Sequence, residues 1–365
     1  MTKAKALTAA LAAAATVALA VPMITSARAD SPVSAPTVPS SVQKRHPDAV
    51  CHEVRVPVSV SVMKTGKAHI YGELCRPRQR TQAAKTVQLL VPGSTYNHSY
   101  YDMPVGDGRY SYVSQALAAG FSTFNIDRLA TGRSTLPPSS AYTLASGTDA
   151  IHQVITRLRD GRIKDSSFDE VVWVGHSLGS AMAWAQAAEH PHDVDAFVLT
   201  GMSHVVRQEE PSDDGPGADV PFEIKAKDDP KFRGRIKDPG YLTTNAGMRQ
   251  FFYDTANADP AVIEADERLK DVSTAADSVS TNTPPAKSPS RAIKVPTLLV
   301  TGDKDQYCTV GRCTPETMLD HERPYYSERA GLTSVVVSDS GHSVQLHKNA
   351  PATNARILNW ISNAL

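Results

Sequence analysis

Residues 171–180 read Val171-Val172-Trp173-Val174-Gly175-His176-Ser177-Leu178-Gly179-Ser180. Three of the first four side chains are β-branched and the other is aromatic, the composition of a buried strand. A helix-forming run, Ala181 to Glu189, follows directly. Strand, tight turn and helix therefore meet at Ser177. A serine on such a turn is held in strained backbone geometry with its Oγ clear of the sheet. Gly175 and Gly179 stand two residues before and two after it, where a side chain would collide with the neighbouring strand and helix. The N–H of Leu178 opens the helix, so the helix dipole reinforces it as a donor to developing negative charge.

This strand–turn–helix with Gly175-His176-Ser177-Leu178-Gly179 resembles the α/β-hydrolase family. The resemblance implies an α/β fold with a mostly parallel central sheet, flanking helices and a helical lid insertion. It extends over four motif positions. The strand Thr86–Val91 runs into Pro92-Gly93-Ser94-Thr95. In the family that strand ends in His-Gly, and the next residue donates the second oxyanion N–H. Pro92 stands in the place of the histidine, and the position implies Ser94 as donor, with Thr95 as the alternative. Asp127 to Ser134 resembles the family's D-x-x-G-x-G-x-S loop with Ala130 in place of the first glycine. It reads as structural, and Asp127 is not the triad acid. The strand Val295–Thr301 leads to Gly302-Asp303-Lys304-Asp305. The family places its acid at this point as G-x-x-D, which marks Asp305, with Asp303 as its rival. His342 follows the last strand, Leu332–Val337, where the family places its histidine.

The order Ser177, Asp305, His342 is the family's order. It implies a serine hydrolase in which His342 activates Ser177, Asp305 orients His342, and Leu178 and Ser94 bind the oxyanion. A serine at this place argues against relatives that use aspartate there. A small-molecule or lipid-like ester is the first substrate class, since esters have better leaving groups than amides. A peptidase, amidase or thioesterase with the same triad is the alternative. A non-catalytic ligand-binding protein is the rival of a different class, though such proteins usually lose a triad member. No metal or organic cofactor is required.

The wider chain has 365 residues, equal numbers of acidic and basic side chains, and four cysteines. Residues 1–29 combine Lys3 and Lys5, the apolar stretch Ala6–Val21 and an Ala27-Arg28-Ala29 cleavage site, which reads as a secretory signal. Residues 30–45 are rich in Pro and Ser and read as a mobile leader. The hydrolase core is expected over 46–204 and 291–365. The charged, Pro- and Gly-containing stretch 205–290, with few strand signals, is the lid. Helices are expected there at 246–256 and 260–270. The absence of a basic run argues against nucleic acid, and no later segment has the length and apolarity to span a bilayer. Oligomeric state is not legible.

In an exported chain four cysteines suggest two disulfides. Three connectivities are open, and the local pairs Cys51–Cys75 and Cys308–Cys313 are preferred. The spacings lack the C-x-x-C and histidine partners of a zinc site. Tyr96, His98, Tyr100 and Tyr101 read equally as an acyl-pocket wall or as packing. Asn97-His98-Ser99 matches a glycosylation sequon.

Overall fold

The computed structural model describes residues 42–365 apart from 62, 64–66, 80, 205–219, 278–282 and 309–312, so the signal segment and most of the leader lie outside it. In chain order the elements are α1 (Val42–Arg45), β1 (Ala49–Ser59), β2 (Lys67–Pro77), β3 (Thr86–Val91), α2 (Tyr112–Ala118) and β4 (Ser122–Ile126). Then come α3 (Leu144–Arg159), β5 (Glu170–His176), α4 (Leu178–Glu189), β6 (Ala196–Thr200), β7 (Glu223–Lys225) and β8 (Tyr241–Thr244). The chain closes with α5 (Pro260–Leu269), β9 (Ser273–Thr274), β10 (Thr297–Gly302), α6 (Pro315–Glu322), β11 (Thr333–Val337) and α7 (Ala350–Ala364).

Eight strands form one sheet in the order β1-β2-β4-β3-β5-β6-β10-β11. The six strands from β4 to β11 run parallel, and the β1–β2 hairpin joins β4 antiparallel. Parallel strands covered on both faces have no polar side, which is why β5 reads as an unbroken apolar run. Its alternation is nonetheless real. Val171 and Trp173 pack with Ile151 and Val154 of α3 and Met182 of α4. Val172 and Val174 pack on the opposite face with Val113 and Ala116 of α2 and Ile357 and Ile361 of α7. Each such buried side chain contributes roughly 1.5–3 kcal/mol. In the hairpin Cys51 lies directly opposite Cys75, and the two are bonded. Cys308 and Cys313 form the second disulfide.

Three sequence-based expectations are corrected. The leader does not run to Arg45. Residues 42–45 form a helical turn with Val42 buried and Arg45 bonded to Glu73 and Asp102, so long-range ion pairs dock a segment whose composition reads as mobile. The insertion holds more than helices: β7, β8 and β9 make a three-stranded antiparallel sheet. These strands have two to four residues, too short for a period to show. The helix expected over 246–256 is only a 3₁₀ turn, Met248–Phe252, bounded by Gly247 at φ +80° and by extended Tyr253. Helix α3 begins at Leu144, where Thr143 and Ser146 form a reciprocal cap at its start.

Candidate active site

β5 carries the chain to Ser177, which adopts φ +51°, a left-handed conformation that a side chain other than glycine tolerates only under constraint. The constraint is visible on both sides. Ser177 N–H donates to Thr200 O at 2.8 Å, and Ser177 O accepts from the N–H groups of Ser180 and Ala181. Backbone packs so closely that a Cβ on Gly175 would lie 2.6 Å from Gly179 O, and one on Gly179 would overlap Val91 O. Both glycines thus permit helix α4 to approach β5 and β3, as the motif requires.

His342 lies in the loop after β11, buried, with Nδ1 3.1 Å from both oxygens of Asp305. Asp305, in the loop after β10, also accepts the N–H of Tyr307 at 2.9 Å. Asp303 is exposed and instead accepts the N–H of Ser340, so of the two candidates Asp305 is the one that meets the histidine. His347 braces the His342 loop. Its Nε2 accepts the N–H groups of Gly341 and Asp254, and its Nδ1–H donates to Ser343 O. The His342 imidazole stands beside Gly201, where an added Cβ would lie 3.1 Å from the ring, and beside the ring of His176 at 4.8 Å between centroids. Ser177 is the next residue in the chain after His176. Among the described residues Ser177 Oγ makes no hydrogen bond, so the serine–histidine contact is open here. Such contacts commonly tighten only with substrate in place.

His176 is fully buried and stacks on Tyr100 at 4.1 Å. Burial, reinforced by the nearby His342 and Arg249, pushes its pKa well below the ordinary value, so it stays neutral beside the other imidazole. His98 is absorbed elsewhere: its Nδ1 is 2.6 Å from Asp127 Oδ1. Asp127 also accepts the N–H groups of His98 and Arg133, which makes it a buried structural brace. His204 pairs with Glu322 and stacks on Trp184. The Asn97 amide is spent on Leu269 O and Asp271, which leaves the sequon in use as a tie to the insertion. Tyr96, Tyr100 and Tyr101 are buried packing residues of the core cluster.

The N–H groups of Leu178 and Ser94 are both without a partner among the described residues. The turn that carries Ser94 is tied by two arginines that no catalytic motif marks. Arg128 reaches Pro92 O and Gly93 O, and Arg249 of the insertion reaches Thr95. Two aromatic side chains, Phe252 of the insertion and Tyr307, flank the His342 ring at 5.4 and 4.7 Å between centroids. Phe222, also of the insertion, packs on Phe252.

Among the described residues His152, His190 and Asp193 form the group that could approach a metal ion. The two imidazoles are stacked face to face, 3.9 Å apart and 5° from parallel, so their in-plane lone pairs do not converge on one point. Asp193 is already bonded to His152 and Gln186. The group lies past the far end of twelve-residue α4, roughly 18 Å from Ser177 at 1.5 Å per residue. No helix among the described residues is long and apolar enough to cross a membrane.

Residues 88–354 match a family model described as the alpha/beta hydrolase family. No curated protein matches the chain. Among solved structures it is similar to a thermophilic esterase from Thermogutta terrifontis, at 18% identity and TM-score 0.56, covering 85% of this chain and 99% of that one. It is similar to a peroxisomal alpha-beta-hydrolase from Saccharomyces cerevisiae, at 15% identity and TM-score 0.55, covering 87% and 89%. A monoacylglycerol lipase from Paleococcus ferrophilus aligns at 17% identity and TM-score 0.52, covering 86% and 100%. Likeness at this identity speaks for the fold alone.

Proposed function

Since the chain belongs to the alpha/beta hydrolase family, we propose that it is an exported serine hydrolase that cleaves carboxylic esters through an acyl-enzyme. The observation that carries the reading is the buried Asp305–His342 pair, its imidazole 4.8 Å from that of His176, the residue just before a serine held at positive φ on a strand-to-helix turn. Ser177 attacks the ester carbonyl as His342 Nε2 takes its proton. The charge on the carbonyl oxygen is met by the N–H groups of Leu178 and Ser94. His342 then protonates the departing alcohol, and water, activated in the same way, releases the acid. Asp305 holds the imidazole in the tautomer with Nδ1–H, leaving Nε2 as base, and stabilises the imidazolium once it forms. Side chains and water suffice for this reaction.

An ester or lipid-like ester is favoured by the esterase and the monoacylglycerol lipase among the similar structures, and by the aromatic side chains around His342. The insertion serves as the roof of the site, with the Phe252 ring beside the base. Export is supported by the composition of residues 1–29 and by two disulfides, which persist in oxidising surroundings. The Cys308–Cys313 bond begins three residues beyond Asp305 and restrains the segment that follows it.

The test is hydrolysis of p-nitrophenyl esters of increasing acyl length by the mature protein, beside an aminoacyl-p-nitroanilide panel. Ester turnover is expected, with kcat falling about 10⁵- to 10⁶-fold in Ser177→Ala. Turnover of the anilides alone would reassign the protein to amide hydrolysis. Ester turnover unchanged in Ser177→Ala would refute the assignment of the nucleophile.

A further inference from the structure

We propose that Arg128 is a positioning residue for the oxyanion site: it fixes the Gly93–Ser94 peptide plane so that the Ser94 N–H faces the substrate. This rests on the serine-hydrolase reading above. In a trans peptide the C=O and the following N–H point in opposite directions. A group that captures Gly93 O therefore dictates where the Ser94 N–H points. Arg128 is fully buried and spreads its guanidinium over two successive carbonyls, Nε to Pro92 O at 3.0 Å and Nη2 to Gly93 O at 3.1 Å, where it adds to the longer bond that Gly93 O accepts from the Tyr96 N–H at 3.3 Å. Rotating the Gly93–Ser94 peptide by half a turn would place Gly93 O at the oxyanion position and leave a buried guanidinium N–H without an acceptor.

The following residues close the remaining freedom. Ser94 O accepts the Thr95 hydroxyl at 2.7 Å, and Thr95 O accepts the N–H of Asp271 at 2.7 Å. Thr95 has φ +56° and is held there by Arg249, whose Nη1 donates to Thr95 Oγ1 at 2.7 Å. Four consecutive carbonyls, Pro92 to Thr95, are thus each committed to a donor, while the Ser94 N–H is left uncommitted. The third arm of Arg128 comes from the insertion: Nη1 donates to Asp277 Oδ1 at 3.1 Å. Asp277 is itself fixed by the Tyr142 hydroxyl and the Thr274 N–H. The insertion therefore sets the donor geometry through Asp277 as well as roofing the site.

The experiment compares wild type with Arg128→Lys, Arg128→Met, Asp277→Asn and the double variant Arg128→Met/Asp277→Asn. The double variant is included because Arg128→Met alone strands a buried carboxylate. Each is measured for ester kcat and KM, for inhibition by an aryl trifluoromethyl ketone, which forms a tetrahedral oxyanion adduct, and for folded fraction by near-UV circular dichroism. Loss of one oxyanion donor costs about 10²- to 10³-fold in kcat. The expected result is a kcat loss of that order in the folded double variant, KM within about threefold, and a matching rise in the ketone Ki. Arg128→Lys, which retains charge and reaches one carbonyl, is expected to fall between it and wild type. Full kcat per folded molecule in the double variant, or a kcat loss with unchanged ketone affinity, overturns the proposal and leaves the hydrolase reading standing. A wild type inert to the esters and unlabelled by a fluorophosphonate overturns both.

Discussion

At the residue scale, three buried histidines carry opposite pH signatures. His176 and His347 are held neutral: burial is the main cause in each, and it drops their pKa below the usual 6.5. An unfolded chain takes up protons on both as pH falls through about 6.5, and the folded chain does not, so their effect is lost stability on the acid side. His98 is buried too, which lowers its pKa, but the Asp127 carboxylate outweighs burial and the group is raised to about 9. Its contribution is fully present below about 6.5 and is lost as pH rises through about 9. The expected outcome is that the Tm advantage of wild type over His98→Gln shrinks between pH 6.5 and 9. A gap that stays constant or widens over that range would contradict the pairing. Ser177 and His342 were legible at this scale because a strand end announces each of them, and Asp305 because it closes a family spacing. Arg128 and Arg249 were not, since an isolated arginine reads as a solvated charge. Only the packing shows each one buried against an acid, Arg128 with Asp277 and Arg249 with Asp266.

Among the elements, the insertion behaves as part of the scaffold. Arg249 and Asp266 form a buried pair at 2.6 Å, and Asp266 also accepts the hydroxyls of Tyr96 and Tyr253. Tyr96 in turn reaches Ser343, one residue beyond His342. One network therefore joins the insertion, the Pro92–Thr95 turn and the loop that carries His342. Removing one partner of a buried ion pair leaves an uncompensated charge. Arg249→Met is expected to destabilise the protein by about 3–5 kcal/mol in urea unfolding, with Arg249→Met/Asp266→Asn recovering part of the loss. A change below about 1 kcal/mol would mean that the insertion is held by other contacts. The short strands of the insertion escaped the sequence reading for a physical reason. A segment such as Ser273–Thr274 is placed by its neighbours in the small sheet, since two residues have no period of their own.

For the whole molecule, the parallel sheet gathers the chemistry. Ser94, Ser177, Asp305 and His342 follow the carboxyl ends of β3, β5, β10 and β11, and all four strands lie in the run β3-β5-β6-β10-β11. Ligands of open α/β sheets bind at those ends, where the loops converge. Strands β3, β5, β10 and β11 were readable because they are largely apolar runs followed by turn residues. The strand order was not legible, since neighbours such as β6 and β10 are about a hundred residues apart in the chain. The central claim is that Ser177 is the acylated nucleophile and that the Asp305–His342 pair drives it. The most direct measurement is intact-protein and peptide mass spectrometry after reaction with a fluorophosphonate. A single adduct is expected on the peptide containing Ser177, absent in Ser177→Ala and formed far more slowly in Asp305→Asn. An adduct on another residue, or labelling of Ser177 at an undiminished rate in Asp305→Asn and His342→Ala, would contradict it.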